Sequence, residues 1–360
     1  MIFKKLSFFS LFIGFCISIT AQNLPVKAFS IFAPTPDKVT TFIKFIDEEL
    51  APNGINTLVM QIDYNYEYTS KPELREKNPL SKEQVKQILA ACKKNNIELI
   101  PLVNLFGHQS YGSTMRKLLR EYPQFDENPN FSLPHTYKWP NPTDFYCKSY
   151  CPKHPDLHAV IFDLIDEIVE VFEAKNFHAG MDEVFIIAHH KCPRCKGEDP
   201  SKLFADEVTK IANHLDKKDV RLWIWGDRLL EGKTSGMGMW EASYNNTHRA
   251  IDNIPKSVVI CDWHYNKALP TPLYFAVKGF DVIACSWNVA EVAKDQVKML
   301  SFFRKNATPE MTDRYLGVMQ TVWSPAAVFI DEYYSNETAK KENKKSPVKS
   351  FKAMVKQLNK

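Results

Sequence analysis

The chain has 360 residues, 44% of them hydrophobic, 12% aromatic and 24% charged, with a formal net charge of +4. This composition excludes a disordered or fibrous chain and allows one large domain with an ample core. Much of the positive charge sits in residues 340–360, which hold eight Lys against one Glu. The near balance elsewhere argues against nucleic-acid binding.

Lys4 and Lys5 precede an apolar run from Phe8 to Thr20 that closes on Ala21-Gln22. A charged start, a short apolar stretch and a small residue at the cut read as a secretory signal over residues 1–21. The run is too short to cross a hydrocarbon core of ~30 Å, so no stable membrane insertion is expected once it is removed. The expected product is exported, periplasmic or extracellular, and its charge is +4 − 2 = +2 without Lys4 and Lys5.

From there the chain alternates short apolar runs with amphipathic stretches. The predicted strands are 26–32, 57–63, 98–104, 177–182, 221–225, 258–262, 281–286 and 316–321. They lack strict polar alternation, as strands buried on both faces should. Helices are expected over 37–50, from a capping box at Ser81-Lys82-Glu83-Gln84 to about 95, and over 156–174 and 201–217. Eight such units imply a (β/α)8 TIM barrel, an α/β fold in a single catalytic domain spanning 22–340. No glycine-rich dinucleotide fingerprint follows the first strand, against an open doubly wound sheet. Residues 341–360 are expected as a basic C-terminal helix or tail: Val348, Phe351, Met354, Val355 and Leu358 recur at helical spacing, as in a last amphipathic helix with a solvated basic face.

The third strand is followed by about 50 residues rich in Tyr, Phe, Pro and His, with one short helix expected near 114–122. A loop of that length in a compact domain is usually functional, and in a barrel it would lie over the C-terminal face.

Chemistry should therefore collect just after each strand. His108 follows strand 3, Asp182 and Glu183 end strand 4, and Trp225-Gly226-Asp227 ends strand 5. Strand 6 ends in Asp262-Trp263-His264-Tyr265, and Trp287 and Trp323 follow strands 7 and 8. Tryptophans at four strand ends, with polar groups around them, suit the stacking and hydrogen bonding of a sugar ring. Adjacent carboxylates in a partly apolar pocket repel, which raises the pKa of one and gives the acid beside an ionised partner that a glycosidase requires.

His178-Ala179-Gly180-Met181-Asp182-Glu183-Val184 resembles the strand-4 signature of family 20 β-N-acetylhexosaminidases, His-x-Gly-Gly-Asp-Glu-Val. The segment from Ile97 to Gly107-His108, Trp225-Gly226-Asp227, Trp263, and the stretch from Gly317 to Trp323 fit the same family more loosely. The resemblance implies a hydrolase that removes terminal N-acetylhexosamine from glycans by a substrate-assisted, retaining mechanism, without a catalytic cofactor. It implies Glu183 as acid and then base, Asp182 as the partner of the substrate's acetamido group, and His108 and His178 as supporting residues. Trp225, Asp227, Trp263, Tyr265, Trp287 and Trp323 are the remaining expected substrate contacts. Two family features are missing: the first strand carries no Arg and Asp, and Trp323-Ser324-Pro325 lacks the usual final Glu. Asp63, Asp262 and Glu241 are candidate replacements. A barrel glycosidase for a non-acetylated sugar, and a carbohydrate-binding barrel without turnover, remain as alternatives.

Seven cysteines follow the signal. Cys147 and Cys151 lie late in the long loop, and Cys192-Pro193-Arg194-Cys195 follows strand 4. These four are expected together, either as a structural zinc site or as disulfides. Cys92, Cys261 and Cys285 read as small core residues.

Overall fold

A computed structural model describes residues 24–134, 145–335 and 345–360. The expected signal at 1–21 lies outside the described residues. Eight parallel strands close into a barrel in chain order: β1 Val26–Phe32, β2 Thr57–Gln61, β3 Glu98–Leu105, β4 Asn176–Gly180, β5 Arg221–Trp225, β6 Val259–Trp263, β7 Asp281–Ser286 and β8 Tyr315–Thr321. The barrel closes where β1 pairs with β8, Val26 beside Gly317 and Ser30 beside Thr321. Closure is tight there. A Cβ on Gly317 would stand 1.8 Å from the Val26 carbonyl oxygen, so only glycine fits.

Alternation along the strands sorts the core into two shells. Ala28, Val59, Ile100, Leu102, Trp223, Trp225, Cys261, Ile283, Cys285 and Met319 fill the barrel interior. Small residues from β1 and β2 leave room for the indoles from β5. Phe29, Ile31, Leu58 and Met60 belong to the outer shell, between the strands and the helices. Fully burying such a side chain is worth about 1.5–3 kcal/mol, so this layer dominates stability.

The helices form where their caps and apolar spacing place them. Ser81 caps Lys82–Lys94 reciprocally: its Oγ accepts from the Gln84 N–H, and its own N–H donates to Gln84 Oε1. Pro200–Asp216 starts on an Asp199 cap with proline in its first turn. The expected helix over 37–50 is three pieces, ending in a wider π turn over Ile46–Leu50. The last helix, Pro347–Leu358, is no free tail. Ser346 caps it, and Val348, Phe351, Met354, Val355 and Leu358 are buried, with Phe351 edge-on to Phe29 at 5.0 Å. It therefore packs on the barrel, and a domain boundary at 340/341 does not correspond to a break in the core. Among the described residues no helix is long and apolar enough to cross a membrane.

The long loop after β3 returns over the barrel mouth as a strap. The Gln109 N–H donates to the Lys148 carbonyl (2.9 Å), the Gly112 N–H to Tyr146 (2.6 Å) and the Tyr150 N–H to Phe106 (3.1 Å). The short helix expected near 114–122 is Lys117–Glu121, preceded by a two-stranded hairpin.

Candidate active site

Asp182 and Glu183 leave β4 on a backbone that side chains rarely adopt. Gly180, Met181 and Glu183 have φ of 67°, 68° and 51°, and across from them Phe106 and His108 have 65° and 55°. Each non-glycine residue in this region costs about 1–3 kcal/mol, and such strain persists where surrounding contacts hold it, typically at functional sites. The holding contact here is backbone on backbone. A Cβ on Gly107 would lie 2.2 Å from the Asp182 carbonyl oxygen, so glycine lets the two strand exits touch.

The two carboxylates are nearly buried, 8% and 6% exposed, yet they have different partners. His108 Nε2 lies 3.0 Å from Asp182 Oδ2 and 3.3 Å from Glu183 Oε2. The Tyr146 hydroxyl donates to Glu183 Oε2. Asp182 Oδ1 is buried and has no hydrogen-bond partner among the described residues. Burial opposes a charge on His108, but the Asp182 carboxylate and the hydrogen bonds to Asp182 and Glu183 raise its pKa well above the usual imidazole range. The two acids thus favour the charged form of the ring, which bridges them.

Below this pair, Asp227 fixes the backbone. Its Oδ2 accepts from the Glu183 N–H at 2.9 Å and from Arg228 Nε at 2.6 Å, and its Oδ1 accepts from Trp263 Nε1 at 3.3 Å. Arg228 in turn donates to the carbonyls of Met239, Trp240 and Ala242. Burial pushes the Asp227 carboxyl up to about 6, against the pull of Arg228 and with help from Asp182. With both oxygens engaged inside the protein, Asp227 is a support for Glu183, not the sugar contact expected of it.

Trp225, another expected contact, and His178, an expected supporting residue, are also internal. His178 is fully buried, its Nδ1 accepting from the Gly180 N–H at 3.0 Å. Its ring lies 4.4 Å from that of Trp225, which is 1% exposed. Both belong to the barrel interior because β4 and β5 point them inward. The other aromatics do assemble at the mouth. Trp263 stacks on Tyr265 at 4.9 Å, Tyr265 meets Trp287 at 5.4 Å, and Trp323 Nε1 donates to the Tyr265 hydroxyl at 2.9 Å. Tyr265, Trp287 and Trp323 are partly exposed, as a sugar platform must be.

Sequence reasoning missed Tyr146 and Trp240. Tyr146 sits in the strap, and Trp240 packs on it at 5.5 Å and on Phe185 at 5.0 Å. The aromatic richness of the long loop was the available signal for Tyr146; nothing local marks Trp240.

The four cysteines do not meet as expected. Cys147 lies beside the acid pair, its thiol donating to the Glu183 carbonyl at 3.6 Å. Burial pushes that thiol up to about 12, so it stays protonated. Cys151, Cys192 and Cys195 gather elsewhere, with Glu127 as the fourth member. The strap divides them: Cys147 meets the Glu183 carbonyl, while Cys151 faces Cys192. All seven cysteines among the described residues are free thiols.

A closed parallel barrel with paired carboxylates at the exit of β4, beneath aromatic side chains, is the layout of a barrel glycoside hydrolase. The family profile described as glycosyl hydrolase family 20, catalytic domain, matches residues 57–337, and the protein belongs to that family. The chain is 27% identical over 170 residues to hexosaminidase D of Bos taurus, covering 45% of this chain and 43% of that protein. It is 25% identical over 132 residues to a beta-hexosaminidase of Akkermansia muciniphila, covering 36% of this chain and 24% of that protein. The matches thus span less than half the length of these relatives. Among solved structures, the Flavobacterium johnsoniae chitobiase aligns with 94% of this chain and 51% of its own, at a TM-score of 0.62 and 15% identity. The Bacteroides fragilis beta-N-acetylhexosaminidase aligns with 93% and 65%, at 0.60 and 15%. These likenesses show the shared fold.

Proposed function

We propose that the protein removes terminal N-acetylhexosamine residues from glycans with retention, using the substrate's own acetamido group as nucleophile. The observation that carries this reading is the division of partners within the acid pair. Glu183, between Tyr146 and His108, is the proton-transfer group. Asp182 is pinned by His108 through Oδ2 and keeps Oδ1 as an unclaimed acceptor beside it. An acetamido N–H is a donor of the kind that oxygen lacks.

In the proposed reaction Glu183 donates its proton to the glycosidic oxygen as the C1–O bond breaks. The acetamido carbonyl oxygen bonds to C1, forming an oxazolinium whose positive charge faces Asp182. Water then attacks C1 as Glu183 takes back a proton, which restores the acetamido group and gives the hemiacetal. The strand exit where a conventional retaining barrel often keeps its nucleophilic acid carries Ser286-Trp287-Asn288, which suits a substrate that brings its own nucleophile. Partly exposed Tyr265, Trp287 and Trp323 supply the ring platform. With residues 1–21 read as an export signal, the glycan would be met outside the cytoplasm.

One observation favours a second reading, a different sugar on the same acid. β1 lacks the family's Arg and Asp, and Ser30, Gln61 and Thr321 line the buried strand ends on that side. Aryl β-N-acetylglucosaminide and galactosaminide, assayed beside their non-acetylated counterparts, separate the two. Release from the acetamido sugars alone is expected, with Glu183→Gln lowering kcat about 10²–10⁴-fold. Release from non-acetylated sugars at comparable kcat/KM would sink substrate assistance.

A further inference from the structure

Three buried cysteines and a buried glutamate meet at a second centre. Cys151 ends the strap, Cys192 and Cys195 lie in the turn after β4, and Glu127 comes from the chain just after the Pro123–Phe125 turn. One donor atom of each lies within 4.8 Å of all the others. Cys192 Sγ is 3.6 Å from Cys151 Sγ, and the Cys195 thiol donates to Glu127 Oε1 at 2.7 Å. A tetrahedron with metal–sulfur bonds of about 2.3 Å has sulfur–sulfur edges of roughly 3.8 Å, close to the first of these distances.

Glu127 supplies the independent observation. It is 0% exposed, and its Oε2 has no hydrogen-bond partner among the described residues, while Oε1 accepts from the His189 N–H at 3.0 Å. A carboxyl group buried with an orphaned oxygen is costly unless a cation or donor meets it. Lys191, Arg194 and Lys196 flank the two cysteines in the turn and offset the negative charge of the donor set.

A disulfide explains less. Joining Cys151 to Cys192 would leave the Cys195 thiol and the Glu127 oxygen buried as they are. A single dication engages all four groups.

We propose that Glu127, Cys151, Cys192 and Cys195 form a closed, structural zinc site. Three thiols give up their protons on binding, and four protein donors leave no position for substrate, so the ion takes no part in catalysis. Its effect is mechanical. It ties the end of the strap to the loop after β4, and that strap carries Tyr146, the hydrogen-bond partner of Glu183.

The test is metal analysis and intact mass of the full chain purified after growth with added zinc. The expected result is about one zinc per chain, falling at least about tenfold in Cys192→Ser and in Glu127→Gln. Cobalt put in place of zinc should give the thiolate charge-transfer and tetrahedral ligand-field bands. A wild-type chain with no bound metal, one holding a different metal, or one lighter by the two hydrogens of a disulfide would overturn the site. So would zinc content unchanged in both variants. None of these readouts uses glycosidase activity, so they stand or fall apart from the catalytic proposal.

Discussion

Two groups of carboxylates stand at the same barrel mouth, and they are held differently. Asp63, after β2, is closed off: its oxygens accept from Gln61 Nε2 at 2.7 Å and from the backbone and side-chain nitrogens of Asn104 at 2.8 and 3.3 Å. Asp262 is intermediate: Thr271 donates to its Oδ2 at 2.6 Å, but its Oδ1 has no hydrogen-bond partner among the described residues, and the neighbouring His264 has Nδ1 2.7 Å from Glu241. Asp182 and Glu183 share His108 on strained backbone, and one Asp182 oxygen is left unmatched. The difference teaches how to tell a structural acid from a chemical one when both are buried. A saturated carboxylate such as Asp63 ties strands together, whereas one flanked by strained backbone with an acceptor to spare, as Asp182 is, is poised for a ligand. By that criterion Asp63 is no replacement for the missing sugar-gripping residues of β1.

The largest effect that tests this comparison is on Asp182. Asp182→Asn removes the charge facing the proposed oxazolinium while keeping the shape, and kcat on an acetamido substrate should fall about 10²–10³-fold. Steady-state kinetics decide it. A loss confined to KM would mean that Asp182 merely helps binding.

Asp63→Asn should do the reverse. The new amide N–H₂ would face donors from Gln61 or Asn104, costing about 1–3 kcal/mol of stability in urea unfolding. Its kcat should stay within a few-fold of the wild type. A catalytic loss as large as that of Asp182→Asn would erase the distinction drawn here.

The smallest effect concerns pH. Burial disfavours a charge on His264, yet Asp262 and Glu241 raise its pKa to about 10. A folded value above the unfolded value of ~6.5 means stability that is fully present below pH ~6.5 and is lost as pH rises through about 10. Unfolding midpoints measured from pH 6 to 10 should therefore decline, and His264→Gln should flatten that decline. Parallel slopes in the two proteins would show that the imidazolium contributes nothing.

Much of the fold could be read from residue order alone. The strands 26–32, 221–225 and 281–286 coincide with β1, β5 and β7 to the residue, since parallel strands buried on both faces must be continuous apolar runs. The capping box at Ser81 was equally legible, because a helix start is decided within four residues. The acid pair stood out because adjacent carboxylates closing an apolar strand are rare unless used.

What the sequence could not assign was which way each side chain finally faces and what meets it from elsewhere. Trp225 and His178 look like mouth residues by position, yet the alternation of β4 and β5 turns both into the barrel. Asp227 looks like a sugar contact until the Glu183 N–H and Arg228 arrive to occupy it. Tyr146 and Cys147 reach Glu183, while Cys151 joins a separate cluster, only because of the path that the strap takes across the mouth. Glu127 joins three cysteines from segments 24 and more residues away, a pairing that no local pattern encodes. Local physics, which covers strand apolarity, helix caps and the acid pair, was thus determined by the sequence by itself. The partners of the buried polar groups that come from distant segments, such as His108 for Asp182 and Tyr146 for Glu183, were decided by tertiary structure, because such a hydrogen bond or metal ligand is fixed by distance in space and not by spacing along the chain.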